Sequence, residues 1–390
     1  MEKDIIIIGG GPSGLSTALH LQRSAPELSE RMVVFEKARY PRPKLCAGGL
    51  VADAEVLLEG LGLDVSEIPH VDGTGAHFDF AGTGITIRVP GTHTLRIIRR
   101  DEFDAWLAGK ARERGIEIRE GVTVKKVQTD ALGVTVETNS EVFRAQIVIG
   151  ADGSNGIVRR CILPGEPVYT ARVLEVLVTP NDSKKHAEKE AYFDFFPVPD
   201  GIAGYTWDFP TQLKGLPVRC WGIYDANLPD LAGGKRAALK ETLAVEMARH
   251  GYRLHDLELK GHPIRWFDPL NKLSVSRVLL VGDAAGVDSI FGEGISMALG
   301  YGKVAANEIV QAFRKNDFNL KSYRRRILLS PLGQTLIHRW FITYIIYTLR
   351  WKWFQILLWR FMKPIVILVA WFLVLNWAKR MPATVSRPAS

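Results

Sequence analysis

Asp4-Ile5-Ile6-Ile7-Ile8-Gly9-Gly10-Gly11-Pro12-Ser13-Gly14 is the stretch whose reading decides the fold. Four consecutive isoleucines make a short apolar, β-branched run, as expected of a parallel strand buried on both faces. Glycines follow at once, and Leu15 to Gln22 then reads as a helix. Gly9, Gly11 and Gly14 therefore fit Gly-x-Gly-x-x-Gly in a strand–turn–helix context. The first glycine allows the tight turn, the second lets a pyrophosphate approach the backbone, and the third lets helix and strand pack closely. The phosphates would lie at the helix N-terminus, where free N–H groups and the dipole favour anions. A second strand, Met32 to Phe35, runs into Glu36, which stands where a ribose-binding acid is expected. Together these features predict a dinucleotide-binding unit of Rossmann type.

Outward from this unit, composition sets bounds. A chain of 390 residues exceeds one ordinary core and predicts two lobes with an appendage. Its three cysteines, Cys46, Cys161 and Cys220, are far apart and form no Cys-x-x-Cys. Neither a disulfide framework nor a metal site is expected, and a reducing compartment is. No secretory leader is expected, because the first strand begins by residue 4. The net charge of +8 is unevenly placed: Asp317 is the last acidic residue, and twelve basic residues follow it. That leaves 38 of the 50 basic residues against 42 acidic ones, a net −4 for the rest of the chain.

Two prolines and a glycine pair make Arg39 to Leu50 an extended loop able to approach a flat ligand. Within it Cys46 is either a small buried hydrophobe or a thiol placed for chemistry. Residues 51–68 read as helical, and 69–98 as short antiparallel strands punctuated by glycine. Arg99 to Asp104 opens a helix with acids in its first turn. Short strands are expected at 116–119, 122–127, 134–137 and 142–144. Gln146 to Ile149 is a further strand, ending in Gly150-Ala151-Asp152-Gly153. From 161 to 264 strand-like runs return, with one helix over 235–250. Aromatic residues gather there: Tyr192, Phe193, Phe195, Phe196, Tyr205, Trp207, Phe209, Trp221 and Tyr224. They would either pack a sheet or line an apolar cleft. Val278 to Gly286 is again strand and turn, and Gly292-Glu293-Gly294-Ile295-Ser296 opens a long helix to Phe313. The nucleotide-contacting segments are thus separated in sequence, so the cofactor domain is expected to be discontinuous.

These segments, over about residues 1–315, resemble the flavoprotein superfamily of group A monooxygenases and geranylgeranyl reductases. The glycine fingerprint with Glu36 looks like its adenosine-binding motif, Gly150-Ala151-Asp152-Gly153 like its second motif, and Gly282-Asp283 like its third. Arg100, in Arg-x-x-Phe-Asp, is similar to a residue contacting FAD. The resemblance implies FAD as cofactor. Its contacts would be Gly9, Gly11, Pro12, Ser13, Gly14, Glu36 and Lys37, then Lys44, Cys46, Ala47 and Arg100. Asp152, Gly153, Gly282, Asp283, Gly292, Gly294 and Ile295 would complete the set.

Pro43 to Leu50 is similar to the Cys-Gly-Gly-Gly stretch of the geranylgeranyl reductases, with Ala47 replacing one glycine. Tyr205-Thr206-Trp207-Asp208-Phe209-Pro210 is similar to their Tyr-x-Trp-x-Phe-Pro motif, which implies that Tyr205, Trp207 and Phe209 face an isoprenoid. Two departures stand out. Arg219-Cys220-Trp221-Gly222 keeps one glycine of a usual Gly-x-Gly, and no proline precedes Gly292-Glu293-Gly294-Ile295. The Trp-x-Trp-x-Ile-Pro signature of flavin halogenases is absent, since Trp351-Lys352-Trp353 is followed by no Ile-Pro.

Residues 330–380 hold six of the ten tryptophans, among basic residues only. The longest uncharged stretch, Pro364 to Ala378, would be a helix about 22 Å long, shorter than the roughly 30 Å hydrocarbon core. A helix lying in or dipping into the membrane interface is therefore expected, with tryptophan at the headgroups and Arg/Lys toward anionic lipid. A nucleic-acid role is not expected, because the charges are embedded in apolar residues.

The expected fold is α/β. It comprises a discontinuous Rossmann-type FAD-binding domain (1–68, 99–160 and 265–320), substrate-lobe strands (69–98), an inserted antiparallel-sheet substrate domain (161–264) and a C-terminal helical membrane-associating tail (321–390). The expected activity is reduction of isoprenoid C=C bonds at the cytoplasmic face of a membrane, with Cys46 as acid or acid relay. The alternatives are a flavin monooxygenase acting on an apolar substrate and a catalytically idle flavoprotein. Since FAD takes the only dinucleotide fingerprint, the electron donor is either NAD(P)H bound without its own Rossmann unit or a ferredoxin-type carrier.

Overall fold

The computed structural model describes residues 2–181, 189–228 and 238–382. Its larger sheet has eight strands. Glu2–Ile8 lies at its centre, parallel to Met32–Glu36 on one side and to Val142–Gly150 on the other. Ile5 is opposite Met32 and Ile147, and Ile5 to Ile7 are wholly buried. The isoleucine run is therefore apolar on both faces because both faces are covered. Glu117–Glu120 and Val278–Leu280 extend the parallel set outward. Two helices, Pro12–Ser24 and Ile295–Lys315, pack on each other over this sheet. They approach closely at Gly302, where a Cβ would run into Ser16 and Thr17.

Two local elements differ from the expectation. Residues 142–144 and 146–149 form one strand, Val142–Gly150, because Ala145 pairs with Lys3 on one edge and Val134 on the other. The helix expected over 51–68 spans Ala52–Glu59; the chain breaks at Gly60, passes Gly62 at positive φ, and resumes as a short turn at Val65–Glu67.

The second sheet has seven strands, built from 75–87, 170–178, 190–225 and 260–265. Thr170–Val178, Leu216–Asp225 and Gly204–Leu213 form its antiparallel centre. One pair departs from the antiparallel expectation: Glu190–Asp194 runs parallel to Gly75–Phe80, a strand that comes from a distant part of the chain. Between the sheets, Gly49–Leu50, Leu95–Ile98 and His70–Gly73 make a third, three-stranded sheet. The helix read over 235–250 spans Leu239–Arg249, its expected start lying outside the described residues. It covers the outer face of the second sheet, where Trp221 and Ile223 pack with Leu243 and Met247.

The C-terminal segment differs most from its reading. Pro331–Thr348 is a helix packed on the body of the protein. Pro364 to Ala378 is not one helix: Lys363–Val369 widens into a π-type turn, Ala370–Val374, and the chain extends at Leu375. The cause is anchorage. The Asn376 and Ala378 amides both donate to Asp53, and Trp377 is buried against Gly300 of the long helix. No single helix among the described residues is long and apolar enough to cross a membrane. Lys352–Phe361 and Lys363–Val374 reach that composition only as a pair bent by 80°.

Candidate active site

One cavity of about 820 Å³ runs between the two sheets, from the first glycine turn to the aromatic strands. Of the residues read as cofactor contacts, all but Gly14 and Gly282 line it. Those two act from behind. A Cβ on Gly14 would run into the Gly9 carbonyl, and one on Gly282 would meet Ser13 Oγ at 2.6 Å.

The glycine turn is built by conformational need. Gly9 has φ +113°, and a Cβ there would run into the Ala151 carbonyl at the end of the neighbouring strand. Gly11 is different: its nearest neighbour would be Arg42 Nη2 at 3.7 Å, so only an incoming ligand needs that space. Pro12 begins the helix and no acid occupies its first turn, leaving its N–H groups for an anion. Glu36 is buried at the end of its strand and accepts from the amides of Gly10 and Ala38, both at 3.0 Å. Arg42 lies 3.3 Å from Glu36 and 3.2 Å from Asp104, which pairs with Arg100 at 2.9 Å. Burial works against the Arg100 charge, but Asp104 more than offsets it and raises its pKa. A ligand between these groups meets alternating, fixed charges.

The second and third motifs meet across the cavity floor. Asp152 accepts from the Val158 amide at 3.0 Å, capping the helix Ile157–Ile162, and burial raises its carboxyl. Ser154 Oγ donates to Asp283 at 3.2 Å, and Gly153 takes positive φ beside it. Near Asp283, Lys44 Nζ lies 2.6 Å from His262 Nε2. Burial lowers Lys44, and burial with the Lys44 charge pulls His262 down to about 4. The imidazole is thus neutral at pH 7.

Cys46 is enclosed in the same cavity, its sulfur 3.4 Å from the Gly48 amide. Burial pushes its thiol up, the nearby Arg100 charge opposing, so it keeps its proton at neutral pH. The loop carrying it meets the aromatic strand directly: a Cβ on Gly49 would lie 3.4 Å from Phe209 Cε2. Tyr205, Trp207 and Phe209 line the cavity with Phe193 and Tyr224. Trp221, on the alternate face, packs under the outer helix instead. The aromatic set therefore both packs a sheet and lines a cleft, divided by strand alternation. Tyr205 is fixed by donating to the Phe291 carbonyl at 2.6 Å.

Four notable lining residues were not read from sequence. His262 carries no motif. Arg339 and Val374 reach the cavity from the C-terminal segment, whose composition drew attention to lipid rather than to the site. Glu175 also lines the cavity, and its signal was available: one acid between Leu174 and Val176 in an apolar strand. Among the described residues, no group of three His, Cys, Asp or Glu side chains is placed to hold a metal ion.

The comparisons with known proteins agree with this geometry. Residues 2–298 match the family described as FAD binding domain. The chain is 31% identical to an uncharacterised protein of Methanosarcina barkeri, over 83% of this chain and 78% of that one. It is 26% identical to digeranylgeranylglycerophospholipid reductase 3 of Methanosphaera stadtmanae, over 82% and 80%. In fold it is similar to a geranylgeranyl bacteriochlorophyll reductase-like protein from Thermoplasma acidophilum. There the TM-score is 0.76 at 21% identity, covering 97% of this chain and 95% of that one. A cradle left open at Gly11, a buried acid at the end of the second strand and a family match over three quarters of the chain lead to one assignment: the chain belongs to the FAD binding domain family, and FAD is its cofactor.

Proposed function

We propose that this protein reduces C=C bonds of an isoprenoid lipid, taking its substrate from the cytoplasmic face of a membrane. The observation that carries the reading is the contact between the Cys46–Gly49 loop and Phe209 on a cavity shared with the cofactor cradle. Two stretches similar to geranylgeranyl reductase motifs, more than 150 residues apart, thereby line one apolar chamber. When bound and reduced, FAD supplies hydride. The residues of the chain do the rest: Tyr205, Trp207 and Phe209 hold an alkene in place, their neighbours exclude water, and Cys46 holds a proton on Sγ.

The C-terminal segment supports delivery from lipid. Trp351, Trp353 and Trp371 are 58%, 62% and 57% exposed, with Phe361 and Phe372 also exposed. Arg350, Lys352, Arg360 and Lys363 accompany them, and no acidic residue does. Trp359, by contrast, is buried in the apolar cluster behind the cavity, stacked on Phe195 at 4.5 Å. One bent helix pair thus offers an aromatic, basic face outward and a tryptophan inward.

The test is mass spectrometry of a polyprenyl lipid incubated with the reduced, FAD-loaded protein. A gain of two hydrogens per double bond without oxygen supports a reductase. A gain of one oxygen atom, seen only in air, overturns that reading in favour of a monooxygenase.

A further inference from the structure

Glu175 stands in the middle of Thr170–Val178, opposite Gly222 on one neighbouring strand and Lys260 on the other. It is 5% exposed, yet it lines the cavity. Its Oε2 has no hydrogen-bond partner among the described residues, and no cation there forms an ion pair with it. Lys260, its cross-strand neighbour, turns to Glu258 at 3.2 Å. Arg99 acts on it from the turn before the helix Arg100–Glu113, the Cys46 amide from the loop, and the Cys220 thiol from the strand Leu216–Asp225.

An ionised carboxylate without a paired cation is costly in such a place, and the group relieves the cost by taking a proton. Burial accordingly pushes the Glu175 carboxyl up to about 7, the Arg99 charge and the two hydrogen-bond donors opposing. Its negative charge in turn helps to raise the Cys46 thiol. No structural task explains the acid: it caps no helix, and a leucine or valine would suit the strand better.

Resting on the reading of the protein as an alkene reductase, we propose that Glu175 is the proton reservoir that reloads Cys46. As hydride from the reduced flavin arrives on one alkene carbon, the π pair forms a C–H bond at the other with the proton of Cys46 Sγ. The thiolate left behind takes the proton from the Glu175 carboxyl. Water then reprotonates the Glu175 carboxylate. Each turnover consumes one hydride and one solvent proton, and both side chains return to their starting state. Glu175 acts through Cys46 and is a positioning and proton-holding residue for the chamber.

The test uses Glu175→Gln in the full-length, FAD-loaded protein, a change that keeps shape and an accepting oxygen but holds no exchangeable acid proton. Infrared difference spectra between about pH 5 and pH 9 should show one titrating carboxylic acid band fewer than in the wild type. Polyprenyl reduction should fall about tenfold to a hundredfold. The wild-type decline of rate above neutrality should disappear, while flavin absorbance and the rate of flavin reduction stay unchanged. Glu175→Asp should restore part of the rate together with the pH dependence. An unchanged infrared titration, or an unchanged rate and pH profile in Glu175→Gln, would overturn the inference alone. A wild-type protein that reduces no polyprenyl alkene would overturn the substrate reading, and this inference with it.

Discussion

Arg339 Nη1 donates to Asp288 Oδ2 at 2.8 Å, in a pair from which solvent is almost wholly excluded. The Asp288 carboxylate also accepts from the amides of Ile290, Phe291 and Glu293, and Arg339 Nη2 donates to the Val374 carbonyl at 3.0 Å. A helix of the C-terminal segment therefore braces the loop whose Phe291 carbonyl fixes Tyr205. Removing one partner of a buried pair leaves the other charge uncompensated, which costs about 3–5 kcal/mol. Arg339→Met should lower the chemical denaturation midpoint accordingly. Replacing Asp288 with an apolar residue as well should not recover the loss, because the amides of Ile290, Phe291 and Glu293 then lose their acceptor.

Gly11 separates folding from cofactor binding. Its backbone is extended, and an added Cβ would meet nothing closer than 3.7 Å. Gly11→Ala should leave the stability of the FAD-free protein within about 0.5 kcal/mol of wild type. Flavin titration should nevertheless show affinity falling at least about tenfold, since the second glycine of the turn is where the pyrophosphate approaches. Gly9→Ala should fail both assays, because φ +113° and the Ala151 carbonyl leave no room.

These contrasts show which parts of the molecule were legible. The glycine turn, Glu36 and the long helix after Gly294 are local signals, each stated by a dozen adjacent residues. Arg339–Asp288 and Phe209–Gly49 join residues 51 and 160 positions apart, and no local pattern states such a pairing. The parallel strand in the second sheet escaped for the same reason, since its partner lies more than 100 residues away. Tryptophan content misled by half. Trp359 and Trp377 are core residues, while Trp351, Trp353 and Trp371 face outward. Composition counts side chains but does not say which way a bent helix turns them.

His20 gives the fold a measurable acid sensitivity. It is 2% exposed within Pro12–Ser24, and neither ring nitrogen has a partner among the described residues. Burial first, then the charges of Lys303, Arg23 and Arg114, pull it down to about 3. The unfolded chain, at about 6.5, binds the proton that the folded one refuses. Stability is therefore untouched above about pH 6.5 and falls as pH drops toward 3, by about 1.4 kcal/mol per unit. His262, held at about 4, adds a similar slope, while Glu175 and Asp194, both raised to about 7, act in the opposite sense. Comparing His20→Leu with wild type cancels those shared contributions. The variant should gain about 2 kcal/mol relative to wild type between pH 7 and pH 5, read from urea denaturation at both.

Trp207 lies against Gly222, where a Cβ would run into the indole ring. Of the paired glycines usual in geranylgeranyl reductases, this one is retained, and the ring explains why. Gly222→Ala should push Trp207 into the chamber, shifting its fluorescence and lowering turnover of a bulky polyprenyl lipid more than that of a short one. FAD affinity should be unchanged, because the cradle lies at the other end of the cavity. Equal losses on both substrates would mean that Trp207 does not shape the lipid site.

The outward face of the bent C-terminal helix pair can be removed without touching the inward one. Trp351, Trp353 and Trp371 are each more than half exposed, so replacing all three with serine should leave the denaturation midpoint nearly unchanged. Co-sedimentation with vesicles rich in anionic lipid should fall at least tenfold, to order of magnitude, because the interfacial aromatic anchors are lost. Changing Arg350, Lys352, Arg360 and Lys363 to glutamine should act differently, abolishing the preference for anionic over neutral vesicles and the salt sensitivity of binding. Turnover of a polyprenyl lipid presented in vesicles should drop in both variants, while turnover of the same lipid in detergent should not. Trp359→Ala is the control in the other direction: its buried ring stacks on Phe195, which packs on Tyr205 of the cavity, so it should impair turnover in detergent and leave vesicle binding intact. If the triple serine variant binds vesicles as the wild type does, the bent pair is structural packing with an apolar exterior, and lipid reaches the cavity by another face.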